Sequence, residues 1–153
     1  MYPTKHLVLG FLFSLFVFAI FPRIGVLGIA TITFSSFLID ADHYMFYACK
    51  KKDLSPFKAY NWFLEFIKRR KSLSVEERKK YKHHILIFHG VEFWTIVFII
   101  SLYYNIFTYV LAGVMFHIFL DIVSLVYSKM GFSCILSQIY NLFYNRNRKD
   151  LLD

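Results

Sequence analysis

Residues 106–127 read IFTYVLAGVMFHIFLDIVSLVY. Apart from His117 and Asp121, the run is apolar or hydroxyl-bearing. A spanning α-helix needs roughly 17–25 residues of this kind, so the stretch fits one membrane crossing. His117 and Asp121 stand four apart, and residues at i and i+4 share a helix face. Imidazole and carboxylate can therefore grip one ion. Insertion scales penalise an aspartate near a helix centre by roughly 2.5–3.5 kcal/mol, and an ion held by both groups would offset that cost. The plainer reading is a buried His–Asp hydrogen bond that locks two helices together.

Three further apolar runs lie upstream, at about residues 7–22, 24–40 and 85–104. The first two are divided only by Pro22 and Arg23. Hydrophobic residues make up 58% of the chain and aromatics 21%, far above the soluble norm. The expectation is an all-α integral membrane protein, one domain over residues 1–153, with four transmembrane helices. Lys5 ahead of an apolar run also suits a signal peptide, but no A-x-A-like site follows. The first run is therefore read as a retained span.

Charge sets the orientation. Lys50 to Lys82 holds twelve basic and four acidic residues, a net +8 that equals the net charge of the whole chain. Short loops rich in Lys and Arg stay in the cytoplasm. The basic loop 49–83 is accordingly placed inside, with both termini on the same side of the cytoplasmic (inner) membrane. Basic runs can also bind nucleic acid, but no nucleic-acid motif accompanies this one, and no such partner is expected. Cys49 and Cys134 lack C-x-x-C spacing and read as ordinary thiols.

The loop has internal order. Phe57, Tyr60, Leu64 and Ile67 form one helical stripe after Ser55-Pro56, with Lys58, Glu65 and residues 68–71 on the polar side. That describes an amphipathic helical insertion between helices 2 and 3, lying among membrane lipid headgroups or packed on the bundle. Ser74-Val75-Glu76-Glu77 matches a capping box that starts a short basic helix. Residues 131–145 read as a C-terminal surface helix.

The topology collects the polar residues at one end. Helix 2 ends in Asp40-Ala41-Asp42-His43, helix 3 opens with His83, His84, His89 and Glu92, and helix 4 returns with His117 and Asp121. His6 stands at the mouth of helix 1. Structural polar residues would be expected in both leaflets, whereas these all gather at the cytoplasmic one. Ionisable groups in or beside a span are costly and by default functional. Carboxylate and imidazole together suit zinc foremost, then manganese or iron, and magnesium remains compatible. One to three ions could be held. Taken singly, each group has a bland alternative. Asp40 to His43 could be a solvated helix end, Glu92 a polar bridge to Lys82, and His6 a snorkelling interface residue.

Ile39-Asp40-Ala41-Asp42-His43, then Ser74-x-x-Glu77-Arg78-Lys79 leading to His84-x4-His89, then His117-x3-Asp121, resemble the YdjM-like family. These are small inner-membrane proteins regarded as metal-dependent hydrolases. The resemblance runs from His6 to Asp121 and implies that Asp40, Asp42, His43, His84, His89, His117 and Asp121 are ligands or catalytic groups. The family's middle motif resembles His-Arg-x-x-Thr-His-Ser; here Ile85, Phe88 and Gly90 replace the Arg, Thr and Ser. Losing the Arg removes an obvious anion-binding group.

The expected activity is metal-dependent hydrolysis of an ester or phosphoester at the cytoplasmic face, with a lipid-linked substrate favoured by location. Asp40, Asp42, His89, His117 and Asp121 are the first-choice metal ligands, with His6 and His83 in reserve. Glu92, His43 and His84 are the candidate proton carriers. Two rivals remain. A cation or proton transporter would need polar groups through the full membrane depth, and the outer halves of helices 3 and 4 offer only hydroxyls such as Thr95, Ser101 and Thr108. The other is a non-catalytic scaffold with a structural His/Asp site, which the missing Arg favours.

Overall fold

Apolar runs this long, with few internal breakers, leave helix as the main way to satisfy the backbone. In the computed structural model, which describes residues 3–128 and 136–151, every regular element among those residues is helical. The α-helices are α1 (Pro3–Ile20), α2 (Gly25–Leu38), α3 (Ala41–Lys51), α4 (Pro56–Ser72), α5 (Val75–Arg78), α6 (Val91–Ser101), α7 (Asn105–Tyr127) and α8 (Gln138–Tyr144). Three short 3-10 turns occupy Pro22–Ile24, Ile87–His89 and Asn145–Asn147.

α1 and α2 form an antiparallel hairpin. Its turn needs Gly25, whose φ of 58° and ψ of −170° fall in a region that is almost glycine-only. α7 packs against both helices, and α6 packs against α7. Small residues bring the backbones together. A Cβ on Gly113 of α7 would stand 2.5 Å from the Ile32 carbonyl oxygen and 3.0 Å from the Ser36 nitrogen of α2. Ser14 of α1 and Thr33 of α2 share a hydroxyl hydrogen bond of 3.0 Å.

Among the described residues, two stretches are long and apolar enough to cross a membrane: Pro22–Lys51, 30 residues at mean hydropathy 1.8, and Asn105–Tyr127, 23 residues at 2.1. The first is interrupted by a turn at Ile39–Asp40, where α2 gives way to α3. α1 and α6 are shorter apolar helices. Large apolar side chains stand exposed along these helices, Val26 at 82%, Phe16 at 61% and Phe119 at 59% among them.

The amphipathic insertion of the sequence reading is α4. Ser55 caps it by accepting a hydrogen bond from the Lys58 amide, with Pro56 at its start. Ala59 and Phe66 are buried, and Lys58 and Arg69 are exposed. The capping box also forms: Ser74 accepts from the Glu77 amide at 3.2 Å, and Glu77 accepts from the Ser74 amide at 2.8 Å. The helix it starts, α5, runs only four residues.

Helix 3 begins later than its apolar run predicts. Residues 82–86 carry no regular structure, with Leu86 extended, and α6 starts only at Val91. The physical reason is that side chains, not a helical ladder, take up this backbone. Asn145 accepts the His83 amide at 2.8 Å, Gln138 the Leu86 amide at 2.9 Å, and Asp42 the Phe88 amide at 3.0 Å. The Lys82 amide bonds the Lys149 carbonyl at 2.9 Å. The C-terminal segment is thus threaded along residues 80–86. Of the predicted surface helix 131–145, α8 is the part that falls on well-described residues; 131–135 and Cys134 lie outside them. Cys49 is exposed with a free thiol.

Candidate metal centre

Four separate segments send ionisable side chains to one buried point: His6 from α1, Asp40 from the α2–α3 turn, His89 from the 3-10 turn before α6, and His117 and Asp121 from α7. His6, His89 and His117 are fully buried, and the Asp40 side chain is 8% exposed.

The two central histidines are oriented from behind. His117 Nδ1 lies 2.6 Å from the Ser36 carbonyl oxygen, which can only accept, so Nδ1 carries the proton. His89 Nδ1 lies 3.0 Å from the Asp42 carboxylate, whose same oxygen also accepts the Phe88 amide. In its neutral form each imidazole therefore turns an unprotonated Nε2 inward. These two nitrogens stand 3.2 Å apart. Asp121 Oδ2 lies 3.5 Å from the first and 3.6 Å from the second, and Asp40 Oδ1 lies 3.7 and 3.9 Å away.

With both imidazoles neutral, the facing nitrogens and carboxylates repel unless a cation lies among them. A shared proton would satisfy the two nitrogens alone, whereas a divalent ion can take both nitrogens and Asp121 together. The spacings suit an ion: ligands on a tetrahedral centre with bonds near 2.0–2.1 Å stand about 3.3–3.4 Å apart. Mixed nitrogen and oxygen donors fit zinc, manganese and iron. Asp42 supplies the carboxylate–histidine support that usually backs a metal-bound imidazole.

Three overlapping sets of ligand atoms lie within 4.8 Å of one another: His89, His117 and Asp121; His6, Asp40 and His117; and Asp40, His43 and His89. His6 stacks on His117 with ring centroids 3.9 Å apart, and its Nε2 is 3.1 Å from Asp121 Oδ1. His43 Nε2 lies 3.6 Å from Asp40 Oδ1. Several polar atoms here are buried without a hydrogen bond: His6 Nδ1, Asp40 Oδ2, Asp42 Oδ1 and His43 Nδ1. Orphaned polar atoms are costly in a protein interior. So many in one place mark a site that expects a charged guest.

Of the residues singled out in the sequence, His6, Asp40, His43, His89, His117 and Asp121 converge. Asp42 stands behind His89 as its hydrogen-bond partner. The remaining three sit elsewhere. The His83 ring bonds Asn141 at 2.9 Å and stacks on Tyr144 at 4.1 Å, and burial lowers its pKa below the ordinary value. His84 lies among the rings of Phe46, Trp62, Phe63 and Phe66, with burial pushing its pKa well down. Glu92 caps α8, accepting the Ser137 hydroxyl at 2.5 Å and the Gln138 and Ile139 amides at 3.1 Å each.

Sequence reasoning missed the Ser36 carbonyl, a backbone group that no side-chain pattern signals. It also missed Gln138, Asn141 and Asn145, which hold residues 83–86. Their spacing of three and four, one face of a short helix, was the available signal.

Comparisons with family models, with curated proteins and with solved structures each give no match, so the likeness to the YdjM-like family rests on the quoted motifs.

Proposed function

We propose that this chain is a four-span membrane protein whose cytoplasm-facing metal centre hydrolyses an ester or phosphoester. The carrying observation is the pair of inward Nε2 atoms 3.2 Å apart between two carboxylates. A divalent ion bound there supplies two things: activation of a water nucleophile near neutral pH, and polarisation of the bond under attack.

The chain's own groups have distinct tasks. His89, His117, Asp40 and Asp121 hold the charge. Asp42 and the Ser36 carbonyl fix which imidazole nitrogen faces inward. His43, its ring about a third exposed and its Nδ1 unpartnered, is placed to carry a proton to the leaving group.

The membrane reading is supported by length and exposure. At 1.5 Å per residue, α7 extends about 35 Å and α1 about 27 Å, against a hydrocarbon core of about 30 Å. α6 alone reaches about 17 Å. Its crossing includes residues 86–90, whose irregular backbone is tolerable at depth where side chains bond it, as Gln138 bonds the Leu86 amide and Asp42 the Phe88 amide. The basic stretch 50–82 then lies on the cytoplasmic side.

The test is metal content by mass spectrometry on detergent-purified protein, beside a His117→Ala/Asp121→Ala double variant. At least one tightly held ion per wild-type chain is expected, lost in a variant that keeps its helical circular dichroism. Wild type loaded with that ion should turn over ester or phosphoester substrates. A wild type that stays empty after dialysis against zinc, manganese and iron would overturn the reading.

A further inference from the structure

A groove of about 390 Å³ runs between the α2–α3 turn and α4, within the ~300–1,000 Å³ span of small-molecule sites. Phe37, Tyr60, Phe63, Leu64 and Ile67 make its walls apolar, and its polar end is formed by Asp40 and His43. Both of these belong to the ligand sets of the metal centre. Each also has a buried polar atom without a partner, Asp40 Oδ2 and His43 Nδ1.

Resting on the hydrolase reading above, we infer that this groove takes the hydrocarbon chain of a membrane lipid substrate and presents its ester or phosphoester head at Asp40 and His43.

The wall chemistry selects the occupant. A soluble polar substrate would leave the aromatic and aliphatic lining wet, whereas an alkyl chain buries it at about 25 cal/mol per Å² of apolar surface. The groove's outer rim points to the bilayer as the source. Close in sequence to Pro56, which lines the groove, Leu54 and Phe57 stand 76% and 72% exposed, and Lys58, Lys68 and Arg69 are exposed along α4. Apolar side chains beside Lys and Arg are how a helix settles at a headgroup surface, and cations there favour anionic headgroups. A lipid drawn along α4 reaches Asp40 and His43 head-first at the groove's inner end.

The test uses metal-loaded protein in nanodiscs. Dodecyl phosphate with a diazirine in its tail is photo-crosslinked, and the adducts are mapped by peptide mass spectrometry. Adducts are expected on α4 between Tyr60 and Ile67, falling at least tenfold in Leu64→Trp, which fills the groove, and in Ala59→Trp as an independent second variant. Metal content and circular dichroism certify that each variant is folded. Where turnover is found, the ratio of dodecyl to ethyl ester hydrolysis should fall at least tenfold in the same variants. Adducts spread over α1 and α7 as densely as over α4, or unaffected by either variant, would overturn the inference. Localised adducts without turnover of any ester would instead support the groove and count against the hydrolase reading alone.

Discussion

Asp42 serves two bonds through one oxygen, to the His89 ring at 3.0 Å and the Phe88 amide at 3.0 Å. The first sets the tautomer of His89 and the second sets the turn that carries it. Replacing the carboxylate with an amide keeps the shape but removes the charge that makes the imidazole a strong donor. Outer-shell changes of this kind typically cost 10–100-fold in metal affinity. Asp42→Asn should therefore retain its melting temperature in apo form within a few degrees while losing one to two orders of magnitude in affinity in a competitive chelator titration. Equal affinity in the two proteins would place Asp42 outside the centre's support. His117 is oriented by a backbone carbonyl instead, so no side-chain variant tests that bond directly.

Two element-scale contacts decide whether the site assembles. The first is the α2–α7 crossing at Gly113, on the same face as His117 one turn later. Gly113→Ala puts a methyl group 2.5 Å from the Ile32 carbonyl, so α7 must move off α2. A stability loss of about 1–3 kcal/mol is expected, together with weaker metal binding because His117 leaves the Ser36 carbonyl. Gly25→Ala should cost a similar amount, about 1–3 kcal/mol, through its backbone conformation. Nothing lies near its Cβ position, so metal affinity should be kept. Chelator titration of the two variants separates strain at the site from strain in general.

The second contact is the docking of α4 on α3 through His84, whose ring centroid lies 3.9 Å from Phe66 and 4.5 Å from Phe46. Burial holds His84 well below its ordinary pKa near 6.5. The folded state therefore binds fewer protons than the unfolded one as pH falls through that value. The contact is at full strength above about pH 6.5 and weakens below it, with a limiting slope of about 1.4 kcal/mol per pH unit for one proton. Trypsin cleavage at Arg69 and Arg70 should accelerate below pH 6.5 in wild type and much less so in His84→Phe. A flat wild-type profile would remove the role.

The element scale is also where the sequence was most and least readable. Phe57 to Arg70 and the Ser74–Glu77 box could be read because the period of 3.6 and the cap are local properties. The late start of α6 could not. Residues 85–88 are as apolar as any helix, and what keeps residues 83–88 out of an α-helix is a set of bonds from Asp42, Gln138 and Asn145, all more than forty positions away. The same holds for the site. His117 and Asp121 declare themselves by spacing, whereas Asp42 behind His89, and Glu92 as a cap for α8, depend on which helices meet.

At the scale of the whole molecule, the centre works only if its mouth and the basic loop share one side of the membrane. His6, Asp40, His89 and Asp121 sit at one end of the α1–α2–α7 bundle, while the α1–α2 turn at Gly25 and the α6–α7 turn at residues 102–104 sit at the other. In the proposed topology, positive charge puts the 50–82 stretch in the cytoplasm. Exposed Cys49, at the end of α3, should then react with a membrane-impermeant maleimide in inside-out vesicles and resist it in right-side-out ones. With Cys49 and Cys134 replaced by Ser, a cysteine introduced as Tyr103→Cys should show the opposite pattern, since Tyr103 is 79% exposed in the α6–α7 turn. Labelling of both positions from the same side would mean that α6, at eleven residues, does not complete a crossing. The centre would then lie in a half-inserted bundle, open to water along α6. Opposite labelling would give the four-span arrangement and put the Asp40–His43 mouth where only cytoplasmic water and inner-leaflet lipid can reach it.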